Sequence, residues 1–119
     1  MSNSTSRLNI SQNNNVTTIS FLDRNILDEL SIQQIGDELS TLIESTPSPK
    51  LLVNFANVEH LSSAALGMLI NLNTKIRGKG GQLRLANIAP PIQELFELTK
   101  LDKLFRIFDS IEDATDSFA

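Results

Sequence analysis

Two adjacent hydroxyls, Ser62 and Ser63, sit in the run His60-Leu61-Ser62-Ser63-Ala64-Ala65-Leu66-Gly67, where a loop gives way to a helical pattern. Three kinds of chemistry are open to a serine at such a place. It can cap the helix, its side-chain oxygen accepting a backbone N–H of the first turn. It can accept a phosphate, because the free N–H groups and positive dipole end of a helix N-terminus favour an anion. It can act as a nucleophile, which requires a base and a group to orient that base. The chain has a single histidine, His60, and no cysteine. Counting therefore excludes a Ser-His-Asp system built elsewhere, clusters of imidazole ligands, thiolate metal sites and disulfides. His60 itself reads as a loop-packing residue in preference to a base.

Two other stretches invite a chemical reading and fail it. Gly78-Lys79-Gly80-Gly81 lacks the Gly-x-x-x-x-Gly-Lys-Ser/Thr spacing and follows a helix pattern instead of opening one, so it is a helix stop and turn. The acidic stretch Asp109 to Asp116 has no calcium-loop pattern and reads as a solvated helix face. No catalytic set can be assembled, so the chain is not read as an enzyme, and no cofactor or metal is expected.

Composition sets the frame around the hydroxyl pair. A length of 119 residues suits one domain, assigned here to residues 7–119, with Met1 to Ser6 a polar, disordered tail and not a secretory leader. The apolar fraction of 40% and charged fraction of 20% are those of an ordinary globular domain. Net charge is −4 and Tyr and Trp are absent, which leaves nucleic-acid binding without electrostatic or stacking support. The apolar runs are too short to cross a bilayer. The lack of cysteine fits a cytoplasmic protein.

The elements that must position Ser62 and Ser63 follow from periodicity. Residues 7–10 and 16–22 read as two strands joined through an Asn-rich turn, with Thr17, Ile19 and Phe21 on one face and Thr18 and Ser20 on the other. A first helix starts at Ser31, where Ser31 and Gln34 form a capping box ahead of Ile32, Ile35, Leu39, Leu42 and Ile43. Lys50 to Phe55 is a near-continuous apolar run, the pattern of an interior strand covered on both faces. A second helix runs from about Ser62 to Arg77 and stops at the glycines. Gln82 to Asn87 is a strand, Pro90-Pro91 opens a third helix, Phe105 to Phe108 is a last strand, and Ser110 with Asp113 starts a short final helix. A hairpin followed by alternating helices and strands implies crossover connections. The fold class is therefore α/β, with a mixed sheet of about five strands and about four helices.

At 100° per residue, Leu61, Ala65, Met68, Leu69, Leu72 and Ile76 fall on a core-facing stripe of the second helix. Ser63, Gly67, Ile70, Thr74 and Arg77 lie opposite, with Leu66 at the margin. Gly67 inside a helix costs roughly 1 kcal/mol relative to Ala and is tolerated where something approaches the backbone closely. Leu66 and Ile70 beside it form either a docking surface or a contact with a neighbouring element.

These residues carry a resemblance. Asn54-Phe55-Ala56-Asn57-Val58-Glu59-His60-Leu61-Ser62-Ser63-Ala64-Ala65-Leu66-Gly67 resembles the signature of STAS domains, and more narrowly that of bacterial anti-sigma-factor antagonists. That signature is a strand ending in Asn-Leu or Asp-Leu, a short loop, then Asp-Ser-Ser/Thr-Gly-Leu-Gly at a helix start. Ile26-Leu27-Asp28, Gly80-Gly81, Ile88-Ala89-Pro90-Pro91-Ile92 and Thr99-Lys100-Leu101-Asp102 are similar to further family positions, so the likeness covers about residues 7–118. The chain departs from the pattern at Ser62, where the family has Asp, and at Ala64 and Ala65, where it has Ser/Thr and Gly.

The resemblance implies a partner-switching role. The unmodified domain binds an anti-sigma factor with serine-kinase activity, and the kinase then phosphorylates it on Ser63, with Ser62 the alternate acceptor. A PP2C-type phosphatase resets it. Asp28, Ser62, Ser63, Leu66, Gly67 and Ile70 form the partner-binding set, on a monomer or weak dimer. The rival reading is a STAS interaction module that is never phosphorylated and serves as a scaffold or transport-associated subunit. The departures at Ser62, Ala64 and Ala65 favour that rival.

Overall fold

The structure, a computed structural model, describes residues 8–13, 15–22, 25–26 and 29–118. The proposed tail 1–6 and Asp28 lie outside them. Along the chain the elements are β1 (Leu8–Asn13), β2 (Val16–Phe21), β3 (Asn25–Ile26), α1 (Glu29–Glu44), β4 (Lys50–Asn54), β5 (His60–Leu61), α2 (Ser63–Gly78), β6 (Gln82–Ala86), α3 (Pro90–Leu98), a 3-10 turn (Leu101–Lys103), β7 (Arg106–Phe108) and α4 (Ile111–Asp116).

Five strands form one sheet in the order β1-β2-β4-β6-β7. β1 and β2 are an antiparallel hairpin, and every other neighbouring pair is parallel. This is the mixed α/β sheet with four helices that the element order predicts. The hairpin closes with Asn13 opposite Val16 and Asn15 at φ 70°, a left-handed conformation that Asn accepts at low cost.

Alternation along the strands divides the interior in two. Ile19, Phe21, Leu51, Val53, Phe55, Leu83 and Leu85 face α1, α2 and α3, and together form the main core. Val16, Leu52 and Ala86 point to the other face, where Ala114 and Phe118 cover them. β4 is therefore buried on both sides, as its unbroken apolar run requires. Phe21 and Phe55 meet edge-to-face with centroids 5.4 Å apart, beneath the end of the sheet that carries Ser62 and Ser63.

That end is tied by side-chain amides. Asn54 Nδ2 donates to Ser20 Oγ at 3.2 Å, and Asn54 Oδ1 accepts from Ala56 N at 3.0 Å and from Asn87 Nδ2 at 3.0 Å. Three strand ends are thus joined through one side chain where the loops leave the sheet.

One helix boundary differs from expectation and two agree. α1 begins at Glu29, so Ser31 lies inside its first turn and is buried; the capping-box start at Ser31 is corrected to a start two residues earlier. α4 begins as expected, Ser110 Oγ accepting from Asp113 N at 3.1 Å. α2 ends in a Schellman arrangement: Gly81 N donates to Ile76 O at 2.8 Å and Gly80 N to Arg77 O at 3.0 Å, with Gly80 at φ 73°. A side chain at Gly81 would overlap Pro49, so the second glycine keeps this turn against the start of β4. Lys79, within that turn, sends its ammonium to Ile43 O at 3.0 Å and Glu44 O at 2.8 Å, and so caps the end of α1.

Candidate functional site

The site is built at the junction of β5 and α2. β5 pairs in parallel with β3, Asn25 opposite His60 and Ile26 opposite Leu61. Pairs this short carry no pattern visible in sequence, and neither strand was expected. They hold the chain in place immediately before α2.

Ser62 and Ser63 have separate roles here. Ser62 is the N-cap of α2, with φ −87° and ψ 167°. Its Oγ accepts from Ala65 N at 3.2 Å, and its carbonyl accepts from Leu66 N at 3.2 Å. Ser63 is the first helical residue and is exposed. Its hydroxyl makes no hydrogen bond among the described residues. The first turn of α2 holds no acidic side chain, while Lys75 and Arg77 occupy the last turn. No acidic side chain of α2 itself offsets the positive dipole end beside Ser63.

The buried face of α2 is rotated from the expected stripe. Ala65, Leu66, Leu69, Leu72, Asn73 and Ile76 are buried, whereas Met68 is only partly so. The reason is that Leu61 lies in β5 and not in the helix, and Met68 packs sideways onto α1: its Cγ is 3.4 Å from the point where Gly36 would carry a Cβ. The centre of the stripe moves toward Leu66, which is 6% exposed and belongs to the core. The expectation that Leu66 forms part of an exposed surface is corrected accordingly. Ile70 is half-buried and packs against the core at the edge of the outer face.

Gly67 stays on that outer face. A Cβ built on it would meet nothing within 4 Å. Packing inside the domain therefore gives no reason for glycine at this position. Gly67 and Ala64 line an open groove of about 610 Å³ between α1 and α2, with Ile32, Gly36, Asp37 and Met68 on its walls. The α1 side of this groove went unread in the sequence, although Gly36 in a helix interior was a signal for it.

His60 is exposed on β5 and lines a smaller cleft against α3 together with Leu95 and Leu98. It does not fill a packed loop position. No group of three or more His, Asp or Glu able to hold a metal occurs among the described residues, and no described helix is long and apolar enough to cross a membrane.

A family model for the STAS domain matches residues 7–114. A STAS-domain containing protein of Pseudomonas aeruginosa is 33% identical over 58 residues, 49% of this chain and 57% of that protein, so the chain spans little more than half of its length. Among solved structures, an anti-sigma factor antagonist from Mycobacterium paratuberculosis superposes with a TM-score of 0.80 at 22% identity, covering 92% of this chain and 91% of that one. The Bacillus cell fate determinant SpoIIAA in its phosphorylated form superposes with a TM-score of 0.72 at 16% identity, covering 94% of this chain and 99% of that one.

Proposed function

The chain belongs to the STAS domain family, and from that membership we propose that it is an anti-sigma-factor antagonist whose binding to an anti-sigma factor with serine-kinase activity is ended by phosphorylation of Ser63. The observation that carries this reading is the division of labour at the start of α2. Ser62 supplies the cap, so Ser63 is exposed and has no structural hydrogen bond to lose on modification. A phosphate on Ser63 adds about −1.5 to −2 charges. It would meet free N–H groups and the positive dipole end, with no acidic side chain in the first turn to oppose it.

The switch then acts on a surface and leaves the fold alone. Ser63, Gly67 and the rim of Ile70 form the outer face of α2, and Leu66 contributes from beneath by holding that face on the sheet. A bulky dianion at Ser63 would stand in front of the bare backbone at Gly67 and repel an acidic partner. Asp28 is carried as a second partner contact on the family likeness of Ile26-Leu27-Asp28 alone.

Ser62, Ala64 and Ala65, where the family signature has Asp, Ser/Thr and Gly, favour a second reading: an interaction module that is not phosphorylated and acts as a scaffold or transport-associated subunit. Binding measurements separate the two. Wild-type protein and Ser63→Asp are titrated against the cognate anti-sigma factor with bound ATP. Binding by the wild type that falls at least tenfold in Ser63→Asp supports the switch. Equal binding by both supports the scaffold.

A further inference from the structure

Three stripes run along α3, and the fold accounts for two of them. At about 100° per residue, Ile92 and Phe96 make one stripe, which is buried in the main core. Gln93 and Glu97 make a second, polar one, on which Gln93 Nε2 donates to Glu97 Oε2 at 3.2 Å. Pro91, Glu94, Leu95 and Leu98 make the third, falling within an arc of about 100°. All four line a cleft of about 380 Å³, with Glu59, His60 and Leu61 on the β5 side of it.

Leu98 is 82% exposed, the most exposed of the large apolar side chains described. A lone leucine on a surface needs no explanation. This one is not alone: Leu95 and Leu61 are half-buried on the same cleft, buried Ile92 also lines it, and Pro91 is exposed one stripe-length away. The apolar line from Pro91 to Leu98 runs about 10 Å at 1.5 Å per residue. That is the span of about three residues of extended chain.

The carboxylates on the cleft are Glu59 and Glu94, one on each side and both exposed. No Lys or Arg lines it; Lys100 and Lys103 follow α3 but stay outside the lining. The last turn of α3 ends at Leu98 and carries no basic residue, so its partial negative charge adds to that of the two carboxylates. An apolar trough with an acidic rim is complementary to an apolar side chain carried between cations.

We infer that this cleft binds an extended peptide segment of a partner protein, in which one or two branched apolar side chains are flanked by Lys or Arg. The apolar side chains pack against Leu61, Leu95 and Leu98, and the cations meet Glu59 and Glu94. The cleft shares no lining residue with the groove beside Gly67, so the inference does not rest on phosphorylation of Ser63. Leu61 is two residues from Ser63, at most about 7 Å along the chain, so a protein seated on the cleft also reaches the start of α2.

The test titrates the isotope-labelled full chain with acetyl-Arg-Leu-Leu-Arg-amide and follows the amides by NMR. Saturable shifts are expected at His60, Leu61, Leu95 and Leu98. Exchanging both leucines of the peptide for serine weakens binding roughly tenfold or more, as expected for the loss of a buried branched side chain. Exchanging its arginines for glutamate weakens binding at low salt, and the difference shrinks as salt is added. Leu98→Ser, at a position already open to solvent, keeps the fold and binds the first peptide roughly fivefold more weakly. Glu59→Gln/Glu94→Gln binds it roughly threefold more weakly at low salt. The absence of saturable shifts, shifts that map to the α1–α2 groove, or equal binding of the leucine and serine peptides overturns the inference. Sedimentation of the peptide-free chain examines a different occupant. A wild-type dimer that dissociates in Leu98→Ser shows the cleft covered by a second copy, and also overturns it. The wild-type map and the peptide series do not rely on any variant folding.

Discussion

Replacing Ser62 by Ala removes the side-chain acceptor of Ala65 N–H at the start of α2. The expected loss of stability is about 1 kcal/mol, read as a lower midpoint in urea with unchanged slope. Ser63→Ala removes no hydrogen bond among the described residues, so its stability should lie within about 0.5 kcal/mol of wild type. A loss as large as that of Ser62→Ala would show that Ser63 carries a structural role. Gly67 gives a complementary result. The space around it is open, so Gly67→Ala should stabilise the free domain by roughly 0.5–1 kcal/mol through helix propensity. A long side chain there, as in Gly67→Arg, should leave melting nearly unchanged and abolish binding to a partner that approaches the α2 backbone. Persistent binding would place the partner elsewhere.

At the scale of elements, the turn after α2 joins three parts of the molecule. Gly80 adopts φ 73°, Gly81 is pressed against Pro49, and Lys79 caps α1. Gly81→Ala is therefore expected to cost roughly 2 kcal/mol or more, measured by denaturant unfolding, because the backbone of Pro49 must move to admit the methyl group. The glycines were legible in the sequence as a helix stop; the role of Lys79 was not, because it depends on a helix end 35 residues away in sequence. The same distinction runs through the site. The order of helices and strands, the two-sided burial of β4 and the cap at Ser110 follow from local patterns of apolar and capping residues. The short β3–β5 pair leaves no periodic trace. The burial of Leu66 depends on which direction α2 leans, and that was set by the contact between Met68 and Gly36, a tertiary fact. A wheel drawn with Leu61 as a helical residue points the stripe away from Leu66.

At the scale of the molecule, one face of the sheet carries three helices and the main core, and the other is covered by α4. At the Ser63 end the N-terminus of α2, with no acidic side chain in its first turn, stands beside an Asn54-centred hydrogen-bond network. Removing that network in Asn54→Ala leaves the Asn87 amide and Ala56 N–H without their acceptor, and should cost about 1–2 kcal/mol in thermal or urea unfolding. Among the described residues Ser63 carries the free hydroxyl and Ser62 the structural one. The decisive measurement incubates wild-type, Ser62→Ala and Ser63→Ala proteins with the anti-sigma-factor kinase proposed above and ATP, and maps phosphate by mass spectrometry. The predicted result is phosphate on Ser63 in the wild type and in Ser62→Ala, none in Ser63→Ala, and an unchanged circular dichroism spectrum after modification. Phosphate on Ser62, or on neither serine, would contradict it.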